Sequence, residues 1–159
     1  MKACLLFLLI CGFRIAVGDY TLAIRVHYPD SNLHGSTISL RGNGAGLTWK
    51  SGKFLQKNSS IPNLWETTLS HNSPGITLEM KTLLKDSTWQ IGSNERVVLP
   101  SRSAAVDIYP WFTSAKGKVS YIRKVYSPQF QNTRDLVLYT PPSYYENTLK
   151  TIKNVLVRE

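Results

Sequence analysis

Four tryptophans, Trp49, Trp65, Trp89 and Trp111, carry the most distinctive chemistry in this 159-residue sequence, because three of them sit at or beside clusters of turn-forming residues. A large indole is ordinarily core material. Borne on a turn, it instead offers a flat apolar face. Sugar rings suit such faces, since their axial C–H groups form an apolar patch while nearby Lys, Asn or Gln side chains satisfy the hydroxyls. Other chemistries find less support. An α/β-hydrolase needs a serine on a Gly-x-Ser-x-Gly elbow, followed by an acid and a histidine, and the chain has no such elbow. His27 lies on a strand-like run, while His34 and His71 lie in turns, and all three read as surface residues without metal-ligand spacing. Glu66, Glu79, Asp86 and Asp107 read as solvated strand residues, not as a facing glycosidase pair. The chain as given is expected to be non-catalytic, with no cofactor and no metal.

The elements that must position the tryptophans are short strands. In Tyr20 to Tyr28 the residues Leu22, Ile24 and Val26 alternate with Ala23, Arg25 and His27, and a period of two marks a half-buried strand. Pro29-Asp30-Ser31-Asn32 breaks it, and Thr37 to Arg41 resumes with Ile38 and Leu40 on one face. Gly42-Asn43-Gly44-Ala45-Gly46 is a loop, because its glycines reach backbone angles that other residues avoid. Further strands are expected over Leu64 to Leu69, Ile76 to Leu84, Trp89 to Ile91, Arg96 to Leu99, Ala104 to Tyr109, Lys118 to Tyr126 and Arg134 to Tyr139. Thr140-Pro141-Pro142 stops the last, since neither proline can donate to a ladder. This pattern predicts an all-β chain folded as a small antiparallel immunoglobulin-like sandwich.

The N-terminus reads as a secretory signal. Lys2 precedes an apolar run from Ala3 to Phe13, and Ala16-Val17-Gly18 suits signal peptidase. That run is much shorter than the roughly 20 residues of a membrane-spanning helix, so no membrane span is expected. Both cysteines, Cys4 and Cys11, fall within the signal, and the fold must rest on an ordinary core without disulfides. Subtracting Lys2 and Arg14 from the 19 basic residues leaves 17 against ten acidic ones, a net +7. Such an excess suits acidic polysaccharide or acidic extracellular matrix, or is simply a solvated basic surface; secretion excludes nucleic acid as a natural partner. Asn58-Ser59-Ser60 is a glycosylation acceptor consistent with that route.

Two resemblances extend this reading. Leu47-Thr48-Trp49, Leu64-Trp65-Glu66, Leu78-Glu79-Met80-Lys81 and Thr88-Trp89-Gln90 with Asn94 resemble the ordered landmarks of starch-binding and glycogen-binding-type carbohydrate modules, over roughly Tyr20 to Pro100. The resemblance implies that Trp49 and Trp89 stack on sugar rings, that Lys81 and Asn94 bond the hydroxyls, and that Trp65 is core. Ser93-Asn94-Glu95-Arg96 departs from the Pro-Asn-Arg usual in that family. Leu40-Arg41-Gly42, Tyr109-Pro110-Trp111-Phe112, Asn132-Thr133-Arg134-Asp135 and Leu138 to Asn147 look like the front portion of secreted esterases. Those esterases join such a sandwich to an α/β-hydrolase domain resembling esterase D and enterochelin esterase. In that scheme residues 1–18 are signal, 19–112 sandwich, 113–131 connection and 132–159 the incomplete start of a hydrolase-like domain, with Tyr109 to Phe112 an aromatic plug between the parts. The expected protein is a secreted, extracellular, non-catalytic sandwich able to bind polysaccharide or glycoconjugate. The alternatives are the front part of a secreted carboxylic-ester hydrolase, or a structural component of an extracellular or mineralised matrix.

Overall fold

A computed structural model describes residues 20–150 and the backbone of 157–158. The signal segment 1–18 lies outside the described residues. Strand β1 (Tyr20–His27) follows from its alternation: Leu22, Ile24 and Val26 are fully buried and their neighbours are not. Each such side chain contributes about 1.5–3 kcal/mol on leaving water. β1 pairs antiparallel with β5 (Leu64–His71), and β4 (Gln56–Lys57) pairs with β5 at the edge. On its other side β1 meets β9 (Ala104–Ile108) in parallel, the one departure from an otherwise antiparallel sandwich.

The second sheet is built on β6 (Thr77–Leu84). One edge of β6 pairs with β2 (Ile38–Gly42), which carries β3 (Lys53–Phe54) beyond it. The other edge is shared by β7 (Thr88–Trp89) and β8 (Glu95–Val98), with Ile91 to Asn94 looping out between them. Ile38, Leu40, Leu78 and Met80 from this sheet close on Leu22, Ile24, Val26, Leu69 and Ile108 from the first, and Leu47, Leu55 and Leu99 seal the ends. The fold is an all-β sandwich. Among the described residues no helix is long and apolar enough to cross a membrane.

β10 (Lys118–Ser127) and β11 (Asn132–Thr140) form a long antiparallel ribbon outside the sandwich, with β12 (Val157–Arg158) against β11 at Val137 and Leu138. A bulge at Arg123 and Lys124 interrupts the register, and Asp135 holds it by accepting from the Lys124 N–H at 2.9 Å and from Arg123 at 2.6 Å. Val119, Tyr121, Tyr126, Val137 and Tyr139 share one exposed face. The turn after β11 returns to the sandwich through two adjacent side chains. Glu146 is buried and accepts from the Tyr28 hydroxyl (2.9 Å), the Phe112 N–H (2.7 Å), the Thr113 N–H (2.8 Å) and the Thr113 hydroxyl (2.5 Å). Asn147, also buried, donates to the carbonyls of His27 and Pro110, each at 2.8 Å. Phe112 meets the Tyr28 ring edge-on, and Tyr109 stacks on His27, so Tyr109 to Phe112 is the aromatic joint at which the turn docks.

His71 differs from expectation. It is the last residue of β5 opposite Tyr20, buried, with neither ring nitrogen hydrogen-bonded. The strand continues two residues past Leu69 because its pairing with β1 continues, which local turn propensity does not register.

Candidate functional site

The outward face of the β6 sheet brings Trp49 and Trp89 together. Trp89 lies opposite Leu83 in the β6–β7 hairpin. Leu83 points away from the interior yet is fully buried, and it sits beneath the outward row. Lys85 and Asp86 make the hairpin turn with positive φ, both +52°. Trp49 comes from the loop between β2 and β3, anchored by Leu47 in the core and folded by a Leu47-to-Gly44 hydrogen bond. The two rings are 6.2 Å apart between centroids and tilted by 35°. They are 38% and 41% exposed, which places an open apolar V on the surface.

An ion pair that sequence reasoning missed holds this V in shape. Arg41, on the outward face of β2, donates to Asp86 through Nε (2.9 Å) and Nη2 (2.7 Å), and also to the Asp86 carbonyl. Its Nη1 reaches the Trp49 carbonyl at 3.4 Å, and its guanidinium lies 5.5 Å from the Trp89 ring centroid. Asp86 also accepts from Ser39 (3.0 Å) and from the Gly52 N–H (3.2 Å). The carboxyl pKa is lowered to about 2, first by the Arg41 hydrogen bonds and then by Gly52 and Ser39 against the cost of burial. Arg41 is correspondingly raised. A Cβ at Gly52 would run into the Asp86 carboxylate and the Ser39 hydroxyl, so glycine lets the loop close here without displacing them. One carboxylate therefore ties the loop bearing Trp49 to the turn preceding Trp89.

Lys81 pairs with Arg41 across β6 and β2, on the same outward face as Leu83. Two residues of strand place its Cα about 6–7 Å from the Trp89 row. Its ammonium donates to the Gly92 carbonyl at 2.8 Å, which leaves further protons for a ligand. Asn94 is farther along, its amide 3.4 Å from Glu79 Oε2, and Glu79 is paired to Arg96 at 2.8 Å. The structure thus gathers Trp49, Trp89 and Lys81 closely and puts Asn94 with Glu79 and Arg96 at the end of the same stripe. The outward position of Arg41, alternating with Leu40, was the one local signal that it belonged to this surface.

The remaining candidates lie elsewhere. Trp65 packs against the core from β5. Trp111 donates to the Ser114 carbonyl at 3.0 Å and lies over Gly92. Asn58 is locked in a turn, accepting from the Ser60 and Ile61 N–H groups and donating to Glu66 at 2.8 Å. His27 lies 2.7 Å from Asp107, which also accepts from Arg25 at 2.8 Å, and this cluster ties β1 to β9. Among the described residues no three His, Cys, Asp or Glu side chains converge as a metal site. No protein-family model and no curated protein sequence matches the chain.

Proposed function

We propose that this chain is a secreted, non-catalytic β-sandwich that binds polysaccharide through the Trp49–Trp89 face. The observation that carries the reading is the tilted, half-exposed indole pair, assembled from residues 40 positions apart and braced by Arg41 and Asp86. A monomer that merely needed core volume would bury those rings. Lys81 beside the pair, with Glu79, Asn94 and Arg96 beyond it, supplies donors and acceptors for hydroxyls along a stripe of about 13 Å, four residues of strand. That length suits an oligosaccharide segment better than a single ring. Preorganisation by the ion pair lowers the ordering cost of a weak ligand. The resemblance to carbohydrate modules points the same way. Depletion of the protein by insoluble polysaccharides, compared with Trp49→Ala and Trp89→Ala, tests the proposal. Each substitution is expected to weaken retention by about fivefold or more; equal retention of all three proteins refutes it.

The ribbon favours a second reading. With β12 pairing only at Val137 and Leu138, the β10–β11 ribbon is close to an isolated hairpin, which is marginal alone in water, and it shows five large apolar or aromatic side chains on one face. In the esterase-like scheme β11 opens the hydrolase-like part, β10 lies in the connection before it, and the sandwich delivers the enzyme to polymer. A reading frame continuing past Glu159 into a Gly-x-Ser-x-Gly elbow would establish this reading; a stop codon there would remove it.

A further inference from the structure

A cleft of about 570 Å³ opens where the turn after β11 meets the sandwich, away from the tryptophan face. Leu84, Phe112 and Tyr145 give it apolar walls, and His34, Lys116 and Lys118 also line it. Its size falls within the range of small-molecule sites. Charge in the cleft is unbalanced. Both oxygens of Glu146, the acid in the wall, are already taken by Tyr28, Phe112 and Thr113. Neither lysine has an acidic partner among the described residues. Two unpaired lysines on the exposed rim beside the apolar walls favour an anion through charge complementarity. The apolar walls favour a hydrocarbon or aryl body attached to it.

We propose that this cleft binds a small amphipathic carboxylate, its apolar body between Phe112 and Tyr145 and its acid group on Lys116 and Lys118. The site is separate from the glycan face, and loss of either leaves the other intact. The experiment titrates the protein with 4-phenylbutyrate and with the isosteric neutral 4-phenylbutyramide, reading amide chemical shifts and calorimetric Kd. Saturable binding of the carboxylate is expected, with shifts concentrated at Phe112, Thr113, Lys116 and Tyr145, and a Kd about tenfold below that of the amide. In Lys116→Ala/Lys118→Ala the carboxylate Kd should rise to that of the amide. In Lys53→Ala/Arg102→Ala, which removes the same charge elsewhere on the surface, it should stay unchanged. Both double variants alter exposed side chains, and an unchanged melting temperature verifies their fold. Equal affinity for the two probes overturns the proposal. So do equal losses in the two double variants, shifts confined to the ribbon, or no saturation up to the solubility limit.

Discussion

Replacing Glu146 by glutamine tests whether the turn after β11 is held as an independent unit. The carboxylate accepts four hydrogen bonds: Tyr28 and Phe112 at one oxygen, and the Thr113 N–H and hydroxyl at the other. In Glu146→Gln either amide orientation sets an NH₂ group against a backbone N–H, of Phe112 or of Thr113. An orphaned buried donor costs about 1–3 kcal/mol, and turning the remaining charge-assisted bonds into neutral ones costs about 1 kcal/mol more. The sum, roughly 2–4 kcal/mol, would be a large share of a small domain's stability if it fell on the whole molecule. Glu146 and Asn147 are, however, outside the apolar core, which is closed by β1, β2, β5, β6 and β9. The cheaper response is for residues 142–147 to undock. Hydrogen exchange resolved by peptide should then accelerate at Phe112, Thr113 and the amides of Tyr144, Glu146 and Asn147, which now bond Pro141 and Ser143. Protection in β1, β5 and β6 should persist. Equal acceleration in β1 and β5 would show that the clamp belongs to the sandwich's cooperative unit. Unchanged exchange at Glu146 and Asn147 would show that the four bonds do not hold the turn. Either result refutes the reasoning.

Further expectations concern the Arg41–Asp86 brace. Because the folded-state pKa of Asp86 lies below its ordinary value of 3.8, the brace is fully stabilising above that value and is lost as pH falls from about 4 toward about 2. Fluorescence of the Trp49–Trp89 pair should therefore be flat from neutral pH to about 4 and change below it, and Asp86→Asn should abolish that step; a step centred above 4 counts against the assignment. Gly52→Ala forces a methyl into Asp86 and Ser39 and should destabilise the fold by about 1–3 kcal/mol in urea titration. It should also weaken polysaccharide retention; a variant as stable and as well retained as the parent would show that the loop has room to shift.

What was legible in the sequence was whatever repeats locally. The alternation Leu22, Ile24, Val26 specified β1 and its inward face, because side chains on a strand point to opposite sides at every step. The same logic located β2, β5, β6, β10 and β11, with ends within about two residues, and Trp49 and Trp89 stood out as rings borne on turns. β3 and β4 were not foreseen, since two residues cannot show a period, and they exist only because neighbouring strands offer hydrogen bonds. Burial of His71 and the parallel seat of β9 beside β1 likewise depend on long-range pairing.

By itself, then, the sequence determined an all-β chain, its principal strands and the tryptophans borne on its turns, because these depend on side-chain type and near-neighbour spacing. Only the tertiary structure decided that Arg41 meets Asp86 across 45 residues and that Tyr28 meets Glu146 across 118. A charged or polar group carries no local mark of its distant partner, and it becomes a brace only where folding removes water from both. The Asn132 to Asn147 segment shows the difference. Its residues announce a resemblance, while the closed fold makes Glu146 and Asn147 the clasp that joins ribbon to sandwich.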